Sequence, residues 1–173
     1  YGISDHQELM NQVTPPPYWR AERTKRRNIT YKEQKLDRIE YADDHFTGAA
    51  GGIIYGGDAF PQEYQNNYFV SDVAGNLVHR DVLVPSDSSP VFVAKRSGNE
   101  PGKEFLASTD PWFRPTSFCV GPDGCLYVVD MYRQHIETPF AIPEDLKEEM
   151  NFMNGSSMGR IYRIKPKNSN IPK

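Results

Sequence analysis

The stretch WFRPTSFCVGPDGCLYVVDMYRQ, residues 112–134, constrains the fold more than any other part of the chain. Its two runs at 116–120 and 125–130 are rich in β-branched, aromatic and other apolar residues, which suit a pleated, half-buried surface. Between them stands Gly121-Pro122-Asp123-Gly124. The proline fixes φ, the aspartate bonds its own backbone, and the glycines accept conformations that other residues avoid. The spacing therefore predicts a tight β-hairpin. Arg114 stands just ahead of the first strand, and the second strand ends in Asp130-Met131-Tyr132-Arg133. A later run, GRIYRI at 159–164, can pair beside it after an inserted stretch.

The same texture begins further upstream, at His45. Short runs at 52–55, 67–71, 77–83 and 91–95 are each bounded by Gly, Pro, Asn, Asp or Ser, the rhythm of a four-stranded antiparallel unit. A second unit starts near Phe105 and includes the hairpin. The predicted class is all-β: about two four-stranded blades of a β-propeller, spanning 45–173. Composition agrees, since 14 prolines and 13 glycines in 173 residues fit a loop-rich β chain better than a helical bundle. Two blades leave sheet edges and one flank of the core uncovered. The remainder of the propeller, or a completing chain, is the expected partner.

Residues 1–44 are polar and interrupted by Pro15-Pro16-Pro17. They show no sustained period of 2 or 3.6 and read as an extended arm, with Tyr18 and Trp19 available as anchors. A short helix is expected at about 143–154. Pro143 suits its first turn, Glu144 and Asp145 suit its positive end, and Gly155 follows its close. Leu146, Met150 and Met153 then share one face, which reads as rim packing.

A net charge of -3 argues against a general grip on nucleic acid. The Lys25-Arg26-Arg27 cluster has Glu22 and Glu33 nearby and reads as a solvated or partner-facing loop. No apolar run approaches the roughly 20 residues that span a bilayer. The chain opens on Tyr1 rather than methionine, which suggests a cut or missing beginning.

Of the two cysteines, Cys119 and Cys125, one falls on each strand of the hairpin. If Val120 faces Cys125 across the turn, Cys119 faces Leu126 and the thiols point to opposite sides. That register disfavours a disulfide and predicts buried free cysteines. Two thiols alone fall short of a metal site, and there is no C-x-x-C-H haem-attachment motif.

HFTGAAGGIIYGGDAFPQEYQNNYFVSDVAGNLVHR, then EFLAS, FRPTSFCVGPDGCLYVVD and GRIYRI, occur in that order over residues 45–164. This series resembles the C-terminal part of the propeller of bacterial putative membrane-bound dehydrogenases, relatives of the sorbosone and glucose dehydrogenases that use pyrroloquinoline quinone. The resemblance implies oxidation of an alcohol or sugar, hydride passing to the quinone and electrons onward to a cytochrome c. It also implies calcium near the cofactor and a periplasmic or other extracytoplasmic, membrane-associated setting. A basic side chain suits such a cofactor because the quinone carries carboxylates and becomes electron-rich on reduction.

By position, Arg114 matches the arginine of the family's Arg-Pro motif, and Arg80 matches a basic residue closing the preceding hairpin. Asp130 ends an inner-type strand where a channel lining is expected. His45 matches a histidine near the start of its blade, and a neutral imidazole there suits proton removal from an alcohol. Each has a structural rival. Arg114 can pair with Asp110 or Asp130, Arg80 stands beside Asp81, His45 follows Asp43 and Asp44, and Asp130 can bond neighbouring backbone. His79 and His135 are weaker candidates.

The pattern also departs from the family. Gly48-Ala49-Ala50-Gly51-Gly52 is bare of polar side chains, and a Ser-Trp-Asn-type cluster is replaced by Ala74-Gly75-Asn76. The alternative is a non-catalytic propeller subunit that binds other proteins through its rim, arm and inserted helix. A weaker third reading, a lactonase-type hydrolase, has only Asp130 as an obvious metal ligand.

Overall fold

A computed structural model describes residues 10–98 and 100–167. The chain forms two antiparallel sheets with little helix. In order it runs α1 (Tyr18–Glu33), β1 (Ala49–Ile54), β2 (Tyr68–Asp72), β3 (Leu77–Pro85), β4 (Phe92–Arg96), β5 (Leu106–Ala107), β6 (Pro115–Val120), β7 (Leu126–Asp130), α2 (Glu144–Lys147) and β8 (Arg160–Ile164). The first sheet is ordered β1-β2-β3-β4 and the second β6-β7-β8. Neither closes into a barrel among the described residues. β5, placed with the second unit from its sequence position, instead pairs with the start of β3 through Leu77–Ala107 and Val78–Leu106. That leaves three strands in the second sheet rather than four.

The sheets meet where β6 lies against β1 and β2. Gly51, at φ +55, sits in a β1 bulge between Ala50 and Gly52. A Cβ there would stand 2.6 Å from the Thr116 carbonyl oxygen, so only glycine lets the two backbones approach this closely. Tyr55, Phe60, Phe69 and Val78 from the first sheet and its loops pack with Leu126 and Val128 of β7. Fully burying a side chain of this size contributes about 2 kcal/mol. The Tyr55 hydroxyl donates to the Gly124 carbonyl and accepts from the amides of Ala59 and Phe60, both at 3.1 Å. One phenol thus pins the hairpin turn to the first sheet.

The N-terminal region is not an extended arm throughout, because residues 18–33 are helical. Its buried residues are Trp19, Arg20, Arg23 and Thr24, so the packed face is mostly polar and leaves no apolar period. Glu22 pairs with Arg26 at 3.0 Å, four residues on, a spacing that supports a helix. Arg26 also grips Asp145 with two nitrogens, at 3.0 and 2.8 Å, and ties α1 to α2. Of the basic cluster, Arg26 is therefore a joint between two helices, while Lys25 pairs with Glu22 on its own helix and Arg27 with Glu40. Trp19 is buried while Tyr18 is exposed.

The inserted helix is shorter than 143–154 and ends at Lys147. Beyond it the Asn151 side chain accepts from the Met153 amide at 2.9 Å, a local bond that competes with helix continuation. Met153 is exposed.

The hairpin register differs by one residue from the expected one. Val120 pairs with Leu126 and Cys119 with Tyr127, since Cys125 belongs to the turn. Its amide donates to Asp123 Oδ1 at 3.1 Å, and its carbonyl accepts from Gly121 at 3.0 Å. Both cysteines are free, but only Cys125 is buried; Cys119 is exposed.

Candidate functional site

Each sheet has an aspartate at the end of its second strand. Asp72 pairs with Ala49, and Asp130 pairs with Pro115, in each case just before a bulge in the neighbouring strand. Both are almost fully buried. Asp72 Oδ2 accepts from the Thr47 and Gly48 amides, and Oδ1 from those of Ala74 and Gly75, at 2.7–2.9 Å. Asp130 Oδ1 accepts from the amides of Arg114 and Tyr132, both at 2.8 Å. Its Oδ2 takes Arg160 Nε and Nη2 at 3.1 and 2.9 Å. All four oxygens are thus taken by protein donors, and Asp130 also lies in the lining of an open groove of about 610 Å³ with Thr116, Arg133 and Arg160.

Arg114 is 5% exposed. Its guanidinium donates to three backbone carbonyls: Arg133 at 2.9 Å, Val73 at 2.8 Å and Gln134 at 3.0 Å. The pairing with Asp130 exists, but through the Arg114 amide rather than its side chain. Burial, reinforced by the positive charge of Arg20, draws its pKa down to about 10. It remains a cation at neutral pH, bonded to carbonyls on both sheets' loops.

Arg80 is equally committed. Nε and Nη2 meet the two oxygens of Glu100 at 3.1 and 3.0 Å, and Nη1 donates to Asn67 at 3.1 Å. Its guanidinium carbon lies 4.2 Å from the centre of the Tyr64 ring, a cation–π contact. On the same strand His79 is buried, with Nε2 3.0 Å from Asp81 and Nδ1 2.7 Å from Glu104. Burial works against a charged ring, but the two carboxylates outweigh it and raise the pKa to about 9.

His45 lies elsewhere, in a cavity of about 520 Å³ between α1, the segment ahead of β1 and the segment around Glu137. Its ring stacks on Tyr41 with centres 3.5 Å apart. Nδ1 is buried without a hydrogen-bond partner. Across the cavity stand Arg20, Arg23 and Arg27, whose spacing of three and four residues puts them on one side of α1. Arg20 donates to the Ala42 carbonyl at 3.1 Å and to Thr47, and meets Glu137 at 3.4 Å. Burial lowers its pKa and Arg23 adds to this, although Glu137 opposes both. Arg23 reaches Glu137 at 3.5 Å and lies over the Trp19 ring, while its Nε is buried and unpartnered. Arg27 pairs with Glu40 at 3.1 Å. Arg20 and Arg23 were not among the sequence candidates; arginines at 20, 23 and 27 are the signal that could have found them.

A smaller cavity of about 180 Å³ adjoins Arg114, Trp19 and His135. Trp19 Nε1 and His135 Nδ1 are both buried without a partner. Burial, and then Arg114, lower the His135 pKa. Among the described residues no group of three or more His, Cys, Asp or Glu could hold a metal ion, and no helix is long and apolar enough to cross a membrane.

Arg114, Arg80, Asp130 and His45 do not converge on one cavity. The first three are each held by protein groups, and a quinone would have to displace those groups to use them. At these positions the residues do not fit the cofactor that the resemblance implies. Residues 3–168 match the model of a family described as a domain of unknown function, DUF7133. No curated protein and no solved structure matches the chain.

Proposed function

The chain belongs to the DUF7133 family, and we propose that it forms two neighbouring blades of a larger β-propeller, with a non-catalytic role in assembly. The observation that carries this reading is the fate of Arg114. The side chain best placed to hold an anionic cofactor bonds Val73 on one blade and Arg133 and Gln134 on the next. It acts as a tie between blades. The repeated corner supports the same view: a strand-ending aspartate, a facing residue and a bulge recur in both sheets, as expected of a radially repeated unit.

Apolar side chains on outer strands support incompleteness. Phe92 on β4 is 64% exposed and Ile161 on β8 is 68% exposed. Both edges also carry basic residues, Lys95 and Arg96 on β4 and Arg160 and Arg163 on β8, so it is these exposed apolar side chains that mark the surface a neighbour would cover. The rest of the propeller, on the same polypeptide or a second chain, is the partner this surface fits.

The redox reading, a quinone-dependent alcohol or sugar dehydrogenase passing electrons to a cytochrome, retains, among Arg114, Arg80, Asp130 and His45, one residue with an unpartnered buried polar atom. That residue is His45. Titrating the intact protein with pyrroloquinoline quinone and calcium, and recording its visible spectrum, separates the two. The assembly role predicts no quinone signal that depends on Arg114, and weakened assembly for Ile161→Lys by size-exclusion chromatography. Stoichiometric quinone binding lost in a folded Arg114→Lys variant would overturn it.

A further inference from the structure

We propose that a third antiparallel sheet packs head to tail on the free face of the second, as the second packs on the first; this rests on the reading of the two sheets as neighbouring blades. The occupant is a further blade with an apolar face, and the segment ahead of its first strand enters the groove at Met131. The face it covers is made of Ser117, Cys119, Tyr127, Val129, Ile161 and Arg163. Tyr127 pairs with Cys119 and Arg163, and Val129 with Ser117 and Ile161. Side chains alternate across a strand, so these six point away from the side on which Leu126 and Val128 meet the first sheet.

The corner aspartates align the two sheets residue by residue. Val73 follows Asp72, and its amide donates to the Gly48 carbonyl at 3.1 Å; Met131 follows Asp130, and its amide donates to the Arg114 carbonyl at 2.9 Å. Counted back from those corners, the pair Ser71 and Val78 corresponds to Val129 and Ile161, and the pair Phe69 and Arg80 to Tyr127 and Arg163. In the first sheet all four positions are sealed. Phe69, Ser71 and Val78 are fully buried and Arg80 nearly so, with Phe69 and Val78 packed against Leu126 and Val128. In the second sheet the same positions are open: Ile161 is exposed, and Tyr127, Val129 and Arg163 are half-buried. Ser117 and Cys119 beside them are exposed as well.

The chemistry of this face selects the occupant. A unit that ends an array carries a polar outer surface, whereas Tyr127, Val129 and Ile161 form an apolar strip, which marks a contact surface. The small side chains of Ser117 and Cys119 on β6 leave room for a neighbouring strand, as Gly51 on β1 leaves room for Thr116 where the two sheets now meet. At the corner, Val129, Met131 and Ile161 line the open groove of about 610 Å³. The matching corner of the first sheet is closed from the next sheet, by Arg114 bonding the Val73 carbonyl at 2.8 Å. The existing contact is therefore continued at the second sheet by another blade of the same polarity, which is how a radially repeated unit grows until it closes.

The test uses the intact protein isolated undenatured from its native cells. Cys119 lies on the face in question, and Cys125, buried within the chain itself, sets the rate of a covered thiol. Cys119 should react with N-ethylmaleimide at least about a hundredfold more slowly in the native protein than after unfolding in urea, whereas a thiol on an open face keeps roughly its unfolded rate. Photo-methionine incorporated at Met131 should cross-link, on irradiation, to a segment just ahead of a β-strand outside residues 1–173. A fast native Cys119 overturns the proposal, and so do Met131 cross-links confined to residues 1–173 or made to a second copy of them. Size-exclusion chromatography of the same native protein separates this outcome from the assembly role. A larger particle with Cys119 still reactive removes the proposed face alone, whereas a particle no larger than these 173 residues removes both.

Discussion

The corner closed by Asp72 and the corner closed by Asp130 are built to one plan and satisfied in two ways. Asp72 uses backbone alone, taking four amides. Asp130 takes two amides and the Arg160 guanidinium. The residue just ahead of the facing strand is Gly48 in the first sheet and Arg114 in the second. Where glycine stands, the loop closes tightly on the aspartate; where arginine stands, its side chain crosses back to Val73, immediately after Asp72. The second corner thus binds itself and also secures the first. A cation at a repeated corner can serve cohesion, and its presence alone does not indicate chemistry.

The comparison breaks most directly at the aspartates. Asp72→Ala takes the acceptor from four amides around a side chain that is itself fully buried, and the expected loss is about 4 kcal/mol by urea denaturation. Asp130→Ala should cost about half as much, since Arg160 is partly exposed and already lies 3.9 Å from Asp110. Equal losses would show that the two closures are energetically the same.

Arg114→Met comes next. The variant removes the tie while roughly keeping side-chain length, and three carbonyls lose their donor. A loss of about 3 kcal/mol is expected, with hydrogen exchange rising around both Val73 and Gln134. Exchange rising on one side only would mean that Arg114 supports its own sheet and does not join the two.

The strands were legible because alternation and turn residues act locally. The predicted runs at 67–71, 77–83 and 116–120 fall on β2, β3 and β6 within about two residues. α1 escaped because the face it buries is made of Arg20, Arg23 and Thr24 as well as Trp19, and an apolar period cannot reveal a helix docked through guanidinium groups. Cys125 misled the register because Asp123 draws its amide into the turn. At the site, Arg114 and Asp130 stood out as residues, but their partners did not. Those partners are backbone groups of loops distant in sequence, and no residue type announces which carbonyl it will lend.

The smallest effect separates the two sheets by pH. The first sheet carries a titratable lock, His79 between Asp81 and Glu104. The second relies on Arg160 with Asp130 and Arg163 with Asp123, and arginines keep their charge through the working range. The folded pKa of His79 is raised from 6.5 to about 9. Its contribution is therefore fully present below pH 6.5 and disappears as pH rises through about 9. Burial opposes the Glu104 charge, but His79, Arg96 and the Asn11 amide outweigh it and lower that pKa from 4.5 to about 2. Its share is present above pH 4.5 and fades as pH falls through about 2. The lock is strongest between pH 4.5 and 6.5. Raising the pH to 9 should cost roughly 2 kcal/mol once the coupling among the three groups is allowed for. Hydrogen exchange should then quicken in β3 ahead of β7, and His79→Gln should flatten that difference. Parallel acceleration of both strands would place the alkaline weakness outside this lock.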